Sequence, residues 1–527
     1  MRRLTTLRCF MPETEKLSAR EVYRIWQNKI AGKPKGYPFW LYLHIPYCPQ
    51  NCKYCQCSRQ KLDDQHVPAE YLNYLEEELK YFAPLFKNCR VHSQYIGGGS
   101  PNLLSSDQMA HLFELLDSRF SYEPDVCKTF EFLASIFKEE MLGLLRGHGF
   151  TRLSCGVQSQ TLKTLKLEER SATNMDNLAS IVDKAFTLGF DDFNLDLMWG
   201  LHGESDATFI DSLIKTLLLN PTTVSIHMTI PTETNQLFTE LSMEISATEN
   251  FLKLHQNSAK QIASAFPHYQ WIYRPNIWIL VRKDFAESGR FSLDYYSDNE
   301  RIHYDMLALG RYAFSHIIGE ANISNTVQQL EFDADAKSYD CYKLNNSLEA
   351  ATDLVTELSC NSVADMKEIE NRYPGESLVA LGSEIKKLEQ QKVLEIEGAT
   401  CRYTENNDPA FINELWPLIE NTMVKKEVSI RSDKSDFADA LPNFVKISDG
   451  YENIMVMLER KLAGRVYYAE IGAFGLMYAN EPHLSDEDYN RILTPVLPVV
   501  EKLIEQNPTI SAGDIMSELA DKVPPVD

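Results

Sequence analysis

The central part of the chain alternates short apolar segments with longer amphipathic ones. Six runs of apolar, β-branched and aromatic residues have the length of buried strands, and helical patterns lie between them. The predicted strands are Phe39–Ile45, Ser93–Ile96, Thr129–Ala134, Arg152–Val157, Asp192–Met198 and Thr222–Met228. The predicted helices are Ala69–Phe82, Ser106–Ser118, Lys138–His148, Asn174–Leu188 and Asp206–Leu219. This order predicts an α/β fold with right-handed crossovers, an open (β/α)6 partial TIM barrel.

After about residue 325 the pattern becomes mostly helical. Three predicted helices and a hairpin indicate a C-terminal helical, winged-helix-like module: Ser347–Cys360, Ser362–Arg372, Ser377–Gln391, Val393–Glu397 and Cys401–Thr404. We divide the chain into an N-terminal extension (1–37), a core (38–325), this module (326–424) and an extra tail (425–527). Candidate elements of the tail are Ile454–Glu459, Tyr467–Ile471 and Tyr489–Glu505. Docking or dimerisation is the favoured role of the tail, and delivery of substrate is the alternative.

Charge and composition exclude several classes of function. The 527 residues are 44% hydrophobic and 24% charged, as in an ordinary globular protein. A net charge of −23 disfavours nucleic acid as a partner, because its phosphates are bound by cations. Met1–Arg8 contains no apolar segment typical of a secretion signal, and no apolar run is long enough to span a membrane. We therefore expect a cytoplasmic protein, not bound to membranes, whose 11 cysteines are reduced.

Three cysteines follow the first predicted strand with the spacing C-x3-C-x2-C, at Cys48, Cys52 and Cys55. Such a loop can hold three irons of a [4Fe–4S] cluster and leave the fourth iron open to a small molecule. A zinc site usually combines two C-x2-C pairs further apart, and a disulfide is disfavoured without a secretion signal. The cluster needs only three cysteines, so Cys57 is not required as a ligand. It could have a role of its own or be a buried structural thiol.

Glycines and polar residues lie at the ends of the next predicted strands, where parallel barrels gather their chemistry. The segment Gly97–Pro101 follows the second strand, and its glycines allow close approach of the backbone to a ligand. Glu131, Gln158 and Asp196 interrupt or end the following strands, and Arg170 lies twelve residues after Gln158. Each could be a structural polar group, and Glu131 could form an ion pair. Together Gln158, Arg170 and Asp196 predict a nucleoside site, in which Asp196 binds ribose hydroxyls.

Several sequence blocks resemble those of the oxygen-independent coproporphyrinogen III oxidase family, a branch of the radical S-adenosylmethionine (SAM) superfamily. They are Tyr42–Cys48 (Y-x-H-I-P-[FY]-C), Gly97–Pro101 (G-G-G-[TS]-P), Arg152–Gln158 (R-[LI]-S-x-G-V-Q), Asn194–Leu201 (N-x-D-L-[IM]-x-G-L) and Leu309–Ser315 (G-x-x-A-x-S). The ending Cys55–Cys57 resembles the C-x-C of the oxidases, which the related heme chaperones usually lack. The resemblance covers roughly residues 38 to 420.

The resemblance implies a role for each matching position. Cys48, Cys52 and Cys55 would ligate a [4Fe–4S] cluster. The SAM site would be lined by Tyr42, Gly98, Gly99, Ser100, Glu131, Gln158, Arg170 and Asp196. Relatives can hold a second SAM beside the backbone of Gly310 to Ala313, and some use it as a methyl or methylene source. The implied partners are a small-molecule substrate and an electron donor such as flavodoxin or ferredoxin.

Three departures from the family pattern concern the substrate side. Met11–Lys16 stands where the oxidases carry P-R-Y-T-S-Y-P, Glu131–Ala134 replaces E-x-N-P, and Tyr273–Leu280 lacks a tyrosine- and asparagine-rich pattern. We expect a radical SAM enzyme that abstracts hydrogen from a small organic or tetrapyrrole-like substrate, with a second SAM as an optional carbon donor. The alternatives are a true coproporphyrinogen III dehydrogenase and a non-catalytic heme-trafficking protein, for which His202, His227 and His316 are available axial ligands. The substrate and the oligomeric state stay open.

Overall fold

Thirteen of the described strands form one mixed sheet whose centre is parallel. The computed structural model describes residues 14–55, 60–62, 66–229, 258–259, 261–273, 277–291, 303–343, 346–373, 378–404, 415 and 418. The strands are β1 (Thr14–Leu17), β2 (Tyr37–Ile45), β3 (Tyr47–Cys48), β4 (Gln60–Lys61), β5 (Cys89–Gly98), β6 (Tyr122–Phe132), β7 (Arg152–Gln158), β8 (Asp192–Trp199), β9 (Thr223–Met228), β10 (Tyr269–Tyr273), β11 (Ile277–Arg282), β12 (Met306–Leu309), β13 (Phe314–Ile317), β14 (Ala321–Asn325), β15 (Tyr339–Lys343), β16 (Val363–Asp365), β17 (Leu394–Glu397) and β18 (Thr400–Tyr403).

The sheet has the order β1-β15-β14-β13-β12-β2-β5-β6-β7-β8-β9-β11-β10. β12, β2 and β5 to β9 pair in parallel, whereas the strands beyond β12 and β9 pair antiparallel. The helices are α1 (Ala19–Ile30), α2 (Ala69–Phe82), α3 (Ser106–Arg119), α4 (Glu140–Gly147), α5 (Leu162–Leu167), α6 (Met175–Thr187), α7 (Asp206–Leu217), α8 (Lys283–Glu287), α9 (Asn346–Asn361), α10 (Met366–Arg372) and α11 (Gly382–Gln390). The predicted (β/α)6 core is thus confirmed.

The helices of the core end close to their predicted positions, whereas two of the strands begin earlier than predicted. The predicted helices of the core are α2, α3, α4, α6 and α7, and their ends lie within two residues of the predicted positions. β5 and β6 begin earlier than predicted, at Cys89 and Tyr122. The apolar pattern did not include their first residues, because these contain exposed charged side chains such as Arg90 and Asp125. β6 also ends at Phe132, since residues Ala134–Ile136 turn into a 3-10 helix.

The N-terminal segment is part of the sheet and of its core. β1 pairs antiparallel with β15, and α1 begins at a capping box in which Ser18 and Glu21 bond each other's backbone N–H. On α1, Trp26 is fully buried and packs edge-on against Phe86, at 5.2 Å between ring centroids. The boundary at residue 37 stays a prediction, but residues 14–30 fold with the barrel.

The C-terminal module contains α9, α10, α11 and a three-stranded sheet of order β16-β18-β17. The predicted helix Ser362–Arg372 begins only at Met366, because Val363–Asp365 pairs with β18 as a strand. The third predicted helix begins at Gly382, after a 3-10 turn over Val379–Leu381. The predicted elements of the tail, residues 425–527, lie outside the described residues. Among the helices that the structure describes, none is long and apolar enough to cross a membrane.

A buried carboxyl group on α2 joins that helix to the second half of the sheet. Glu78 has no exposed surface and accepts hydrogen bonds from Gly310 N–H (2.7 Å), Asn325 Nδ2 (2.7 Å) and Tyr339 Oη (2.6 Å). Burial raises the pKa of Glu78 to about 7, although these donors act in the opposite direction. One side chain thereby connects β12, β14 and β15 to the helix that follows the cysteine loop.

We expect Glu78→Gln to lower the melting temperature, because an amide cannot accept from all three donors. A buried donor left unpaired costs about 1–3 kcal/mol, and each kcal/mol corresponds to about 2–4 °C in a domain of this size. Thermal unfolding followed by circular dichroism checks the shift. Glu77→Gln is the control, since Glu77 is exposed and contacts only Lys80 among the described ion pairs. Equal melting temperatures for the two variants would contradict the role of Glu78.

Candidate active site

Polar side chains line the inner face of β7, β8 and β9 at every second position. Asn194 and Asp196 alternate with buried apolar residues on β8, and the register places Ser154 opposite Asn194. On the other side Asp196 lies opposite Ser225. Because strand side chains alternate between faces, these polar groups point to one side of the sheet. The two-residue spacing of polar positions was the signal that could have identified Ser154 and Asn194 from the sequence.

Asp196 is held as an ionised carboxylate at the end of β8. Its Oδ1 accepts from Asn194 Nδ2 (2.7 Å) and lies 3.5 Å from His227 Nε2, and its Oδ2 accepts from Ser154 Oγ (3.1 Å). Burial raises the pKa of Asp196, but the hydrogen bond and charge of His227 and the amide of Asn194 lower it further, to a net value below the ordinary one. No motif in the sequence marks His227 as the partner of Asp196.

The cysteine loop follows β2 and presents three reduced thiols. Cys52 is buried, whereas Cys48 and Cys55 are partly exposed. The Sγ atom of Cys48 lies 3.3 Å from Ser100 Oγ, and that of Cys52 lies 3.8 Å from Arg170 Nη1. These contacts bring the predicted residues Ser100 and Arg170 to the cysteines. Cys57 lies outside the described residues.

Glu168 accepts hydrogen bonds from the backbone of this loop, and it was not predicted from the sequence. Its carboxyl group accepts from His202 N–H (2.8 Å) and from the N–H of Tyr54, and its carbonyl accepts from Lys53 N–H (3.1 Å). Burial raises the pKa of Glu168 despite these donors. No sequence signal marked it, because it lies in a charged segment next to Glu169.

The glycine segment after β5 lies against the end of β2. Gly98 has φ of +106°, and its N–H donates to Glu131 Oε2 at 3.0 Å. Tyr95 Oη donates to the other oxygen of Glu131. A Cβ at Gly98 would lie 2.6 Å from the imidazole of His44, so only glycine fits. His44 in turn bonds Tyr42, at 3.0 Å between Nδ1 and Oη, so the predicted residues Tyr42, Gly98 and Glu131 form one connected group.

The N–H groups of this segment are used within the fold. Gly99 N–H donates to Ile45 carbonyl (2.8 Å) and Ser100 N–H to Tyr47 carbonyl (2.7 Å). These donors are therefore not available to the carboxylate of a ligand. The same bonds hold β5 against the residues that lead into Cys48.

Gln158 and Arg170 carry the clearest signs of a binding site. Gln158 has φ of +67°, a left-handed conformation that is uncommon outside glycine and that clusters at functional sites. Arg170 Nη1 donates to Tyr54 Oη (2.7 Å) and its Nη2 donates to the Gly156 carbonyl. Among the described residues, Gln158 Oε1 and Arg170 Nε are buried without a hydrogen-bond partner. Buried polar groups are normally paired, so these two atoms fit a polar ligand beside the cysteine loop.

The turn after β12 is packed against the exit of β2. Gly310 has φ of +101°, and a Cβ there would lie 2.7 Å from the His44 carbonyl. The N–H of Ala313 donates to the Gly310 carbonyl (3.0 Å), and that of Tyr312 donates to the Asn325 carbonyl (2.8 Å). With Gly310 N–H bound to Glu78, the backbone donors of this turn are used within the protein. A contact of Gly310 and Ala313 with a second ligand stays a prediction.

Comparison with known proteins agrees with this geometry. Residues 42–214 match the family model of the Radical SAM superfamily. The chain is 32% identical over 189 residues to the oxygen-independent coproporphyrinogen III oxidase of Salmonella typhimurium, covering 36% of this chain and 41% of that protein. It is 31% identical over 186 residues to the heme chaperone HemW of Mycobacterium tuberculosis, covering 34% of this chain and 46% of that protein. The chain thus spans less than half the length of these relatives.

A solved structure shares the fold. Coproporphyrinogen III oxidase (HemN) from Escherichia coli superimposes with a TM-score of 0.61 at 22% identity, over 75% of this chain and 93% of that one. At this identity the likeness concerns the fold, and it extends beyond the sequence match into the second half of the chain.

We expect Gly99→Ala to lower the amount of iron retained after anaerobic reconstitution. An added methyl would press on the backbone of Tyr47, next to Cys48, and forcing an extra methyl into a packed site costs about 1–3 kcal/mol. Gly143→Ala on α4 is the matched control, because nothing lies within 4 Å of its added methyl. Iron per protein chain is the measurement, and equal iron in both variants would show that the glycine segment does not position the loop.

Proposed function

Because this chain is a radical SAM protein similar to the oxygen-independent coproporphyrinogen III oxidases, we propose that it cleaves SAM and abstracts hydrogen from a small organic or tetrapyrrole-like substrate. The observation that carries the proposal is the juxtaposition of three reduced cysteines with the unpaired buried atoms of Gln158 and Arg170. Cys48, Cys52 and Cys55 would hold a [4Fe–4S] cluster. When bound, the cluster supplies the electron that cleaves SAM to a 5′-deoxyadenosyl radical.

The polar residues of the barrel would divide the recognition of SAM among them. Asp196, kept ionised by His227, offers carboxylate oxygens to the ribose hydroxyls. Arg170 offers Nε to an anionic group, and Gln158 offers its carbonyl oxygen to a donor. Glu131 fixes the carbonyl groups of the glycine segment through its bond to Gly98. Tyr42, Gly99 and Ser100 complete the proposed set.

The protein's own contacts orient the thiols before any cluster binds. Arg170 lies against Cys52, and Glu168 bonds the backbone of the loop on the same side. Ser100 lies against Cys48, so β5 and α5 hold the loop from two directions. Such preorganisation keeps reacting groups in position and accounts for a large part of catalytic power in general.

A second SAM beside Gly310 and Ala313, acting as a methyl or methylene source, is a finer proposal. The backbone N–H groups of Gly310, Tyr312 and Ala313 already donate hydrogen bonds within the protein. Polar contacts with a second SAM would therefore come from side chains such as Arg311 and Tyr312. Arg311 lies over the ring of Tyr312, with 4.7 Å between its Cζ and the ring centroid. A flavodoxin or ferredoxin would deliver the electron.

Heme trafficking is the second candidate, because relatives include the heme chaperone HemW. It would require an axial ligand such as a histidine. His227 lies against Asp196, and His316 Nδ1 bonds Asn322 Oδ1 at 2.6 Å. In His316 the second ring nitrogen is also engaged, because Nε2 lies 3.4 Å from Glu349 Oε2. The enzyme is the better-supported function, because the cysteine loop lies beside the unpaired buried atoms of Gln158 and Arg170. Anaerobic heme titration distinguishes the two: a stoichiometric Soret shift without SAM cleavage favours trafficking.

The cluster assignment predicts about four irons per reconstituted chain and reductant-dependent release of 5′-deoxyadenosine. We expect Cys48→Ala, Cys52→Ala and Cys55→Ala each to abolish that release, since each removes an iron ligand. Cys89→Ala is the matched control, because Cys89 lies at the opposite end of β5. Chromatography of the nucleoside products and iron analysis check this, and full cleavage by all three variants would refute the assignment. Cys57→Ala should keep its iron.

The altered substrate side predicts that coproporphyrinogen III is a poor substrate. A radical reacts only with a carbon held within a few ångströms, so changed residues over the site change which carbon reacts. We expect at most trace formation of protoporphyrinogen IX when reduced protein is incubated with deuterated SAM and coproporphyrinogen III. Mass spectrometry follows the products, and the porphyrin oxidase of a relative serves as the positive control. Stoichiometric loss of two carboxyl groups as carbon dioxide would contradict this prediction and show that the protein is a coproporphyrinogen III oxidase.

A further inference from the structure

Three metal-binding side chains meet at the edge of the barrel opposite the cysteine loop. Asp353 and Glu357 lie one turn apart on α9, so they share a helix face. His303 lies three residues before β12, which runs parallel to β2. The cysteine loop follows the C-terminal end of β2, so His303 lies at the other edge of the sheet. The Nε2 atom of His303 and one oxygen of each acid all lie within 4.8 Å of one another.

The segment that carries His303 is anchored on its C-terminal side. The ring of Tyr304 stacks on His92, with 4.2 Å between centroids. Asp305 is fully buried and accepts from Tyr37 Oη (2.9 Å) and from Ile318 N–H (2.9 Å). A backbone held this firmly fixes where the imidazole can lie, and preorganised first ligands are what a metal site requires.

Both acids lie close to the imidazole, and Glu357 forms an ion pair with it. His303 Nε2 lies 2.5 Å from Glu357 Oε1 and 3.8 Å from Asp353 Oδ1. Asp353 has no exposed surface, and its Oδ2 accepts from Arg372 Nη1 at 2.6 Å. Within the part of the chain that the structure describes, the other oxygen, Oδ1, is buried and accepts no hydrogen bond. A buried carboxylate oxygen without a partner is costly, and here it faces the imidazole.

We propose that His303, Asp353 and Glu357 bind a divalent first-row transition-metal ion of the zinc type. One imidazole nitrogen and two carboxylate oxygens are an established class of ligands for zinc, and water can supply the fourth position. His303 and Glu357 keep 28% and 16% of their side-chain surface exposed, so an ion can enter. Arg372 orients Asp353 from α10 as an outer partner, which is the usual arrangement for a ligating carboxylate.

The site would connect the C-terminal module to the barrel. α9 and α10 belong to the module, whereas His303 leads into a strand paired with β2. A bound ion would thus stabilise the contact between the two parts of the chain, in proportion to how far its concentration exceeds the dissociation constant.

The test uses the full chain with its iron–sulfur cluster reconstituted and zinc sulfate as the probe. After removal of free metal by gel filtration, elemental analysis should give about one zinc per chain in addition to iron. We expect His303→Gln and Asp353→Asn to weaken zinc binding by about tenfold or more, with iron unchanged. Glu349→Gln is the matched control, because Glu349 lies one turn before Asp353 on the same helix and contacts His316 instead. It should keep the zinc.

X-ray absorption at the zinc edge gives an independent readout. Nitrogen and oxygen neighbours at about 2.0–2.1 Å support the site, whereas sulfur at about 2.3 Å would place the zinc on cysteines and overturn the proposal. Equal zinc retention in the wild-type protein and in His303→Gln would also overturn it and leave an ion-pair cluster. If Asp353→Asn fails to fold, Glu357→Gln and His303→Gln, at partly exposed positions, decide the question.

Discussion

The pairing of β2 on both of its edges is the constraint on which the rest of the structure depends. β2 lies between β5 and β12 and is parallel to both. Its exit residue His44 is contacted from one side by Gly98 and from the other by Gly310, and both glycines have positive φ. A side chain at Gly98 would press on the His44 imidazole, and one at Gly310 would press on the His44 carbonyl and on Tyr71. The cysteine loop begins directly after this junction, so its position is set by how closely three backbones approach each other.

Two partly buried carboxyl groups of the barrel, Asp196 and Glu204, differ in pKa because their hydrogen-bond donors differ. His227 and Asn194 keep Asp196 ionised, and the pKa of this acid is low. Glu204 has Ser159 as its side-chain donor (2.8 Å), and burial raises its pKa to about 8. Neutral pH therefore favours a negative charge at Asp196 and a neutral acid at Glu204, which lies between β8 and α7. The charge is concentrated where the ribose of SAM is proposed to bind.

Much of the fold followed from the sequence because local patterns dominate it. The core helices were predicted closely, since each has a regular apolar face and several, such as α3 at Ser105, begin at capping boxes. The strands β10 to β15 were not predicted, because they are four to six residues long and lie outside the βα pattern, and all of them except β12 pair only antiparallel. Cys48, Cys52 and Cys55 were recognisable from their spacing alone.

Residues that act through tertiary contacts were not recognisable. Glu168 bonds the loop at Tyr54, and His303 meets Asp353 from fifty positions away in the chain. Neither has a motif, and only the folded chain brings them to their partners. Glu78 shows the same limit: its position on α2 predicts a helical acid, but its three donors come from more than 200 residues further on.

The pairing of β1 with β15 has a consequence for synthesis on the ribosome. Thr14–Leu17 can find its partner strand, Tyr339–Lys343, only after more than 300 further residues have been made. At about 5–20 residues per second, that is a delay on the order of tens of seconds. During this time β1 has no partner strand, whereas Phe86, which packs on Trp26 of α1, is made early in it. The nascent chain thus has a period in which a chaperone would protect the unpaired backbone of its first strand from aggregation.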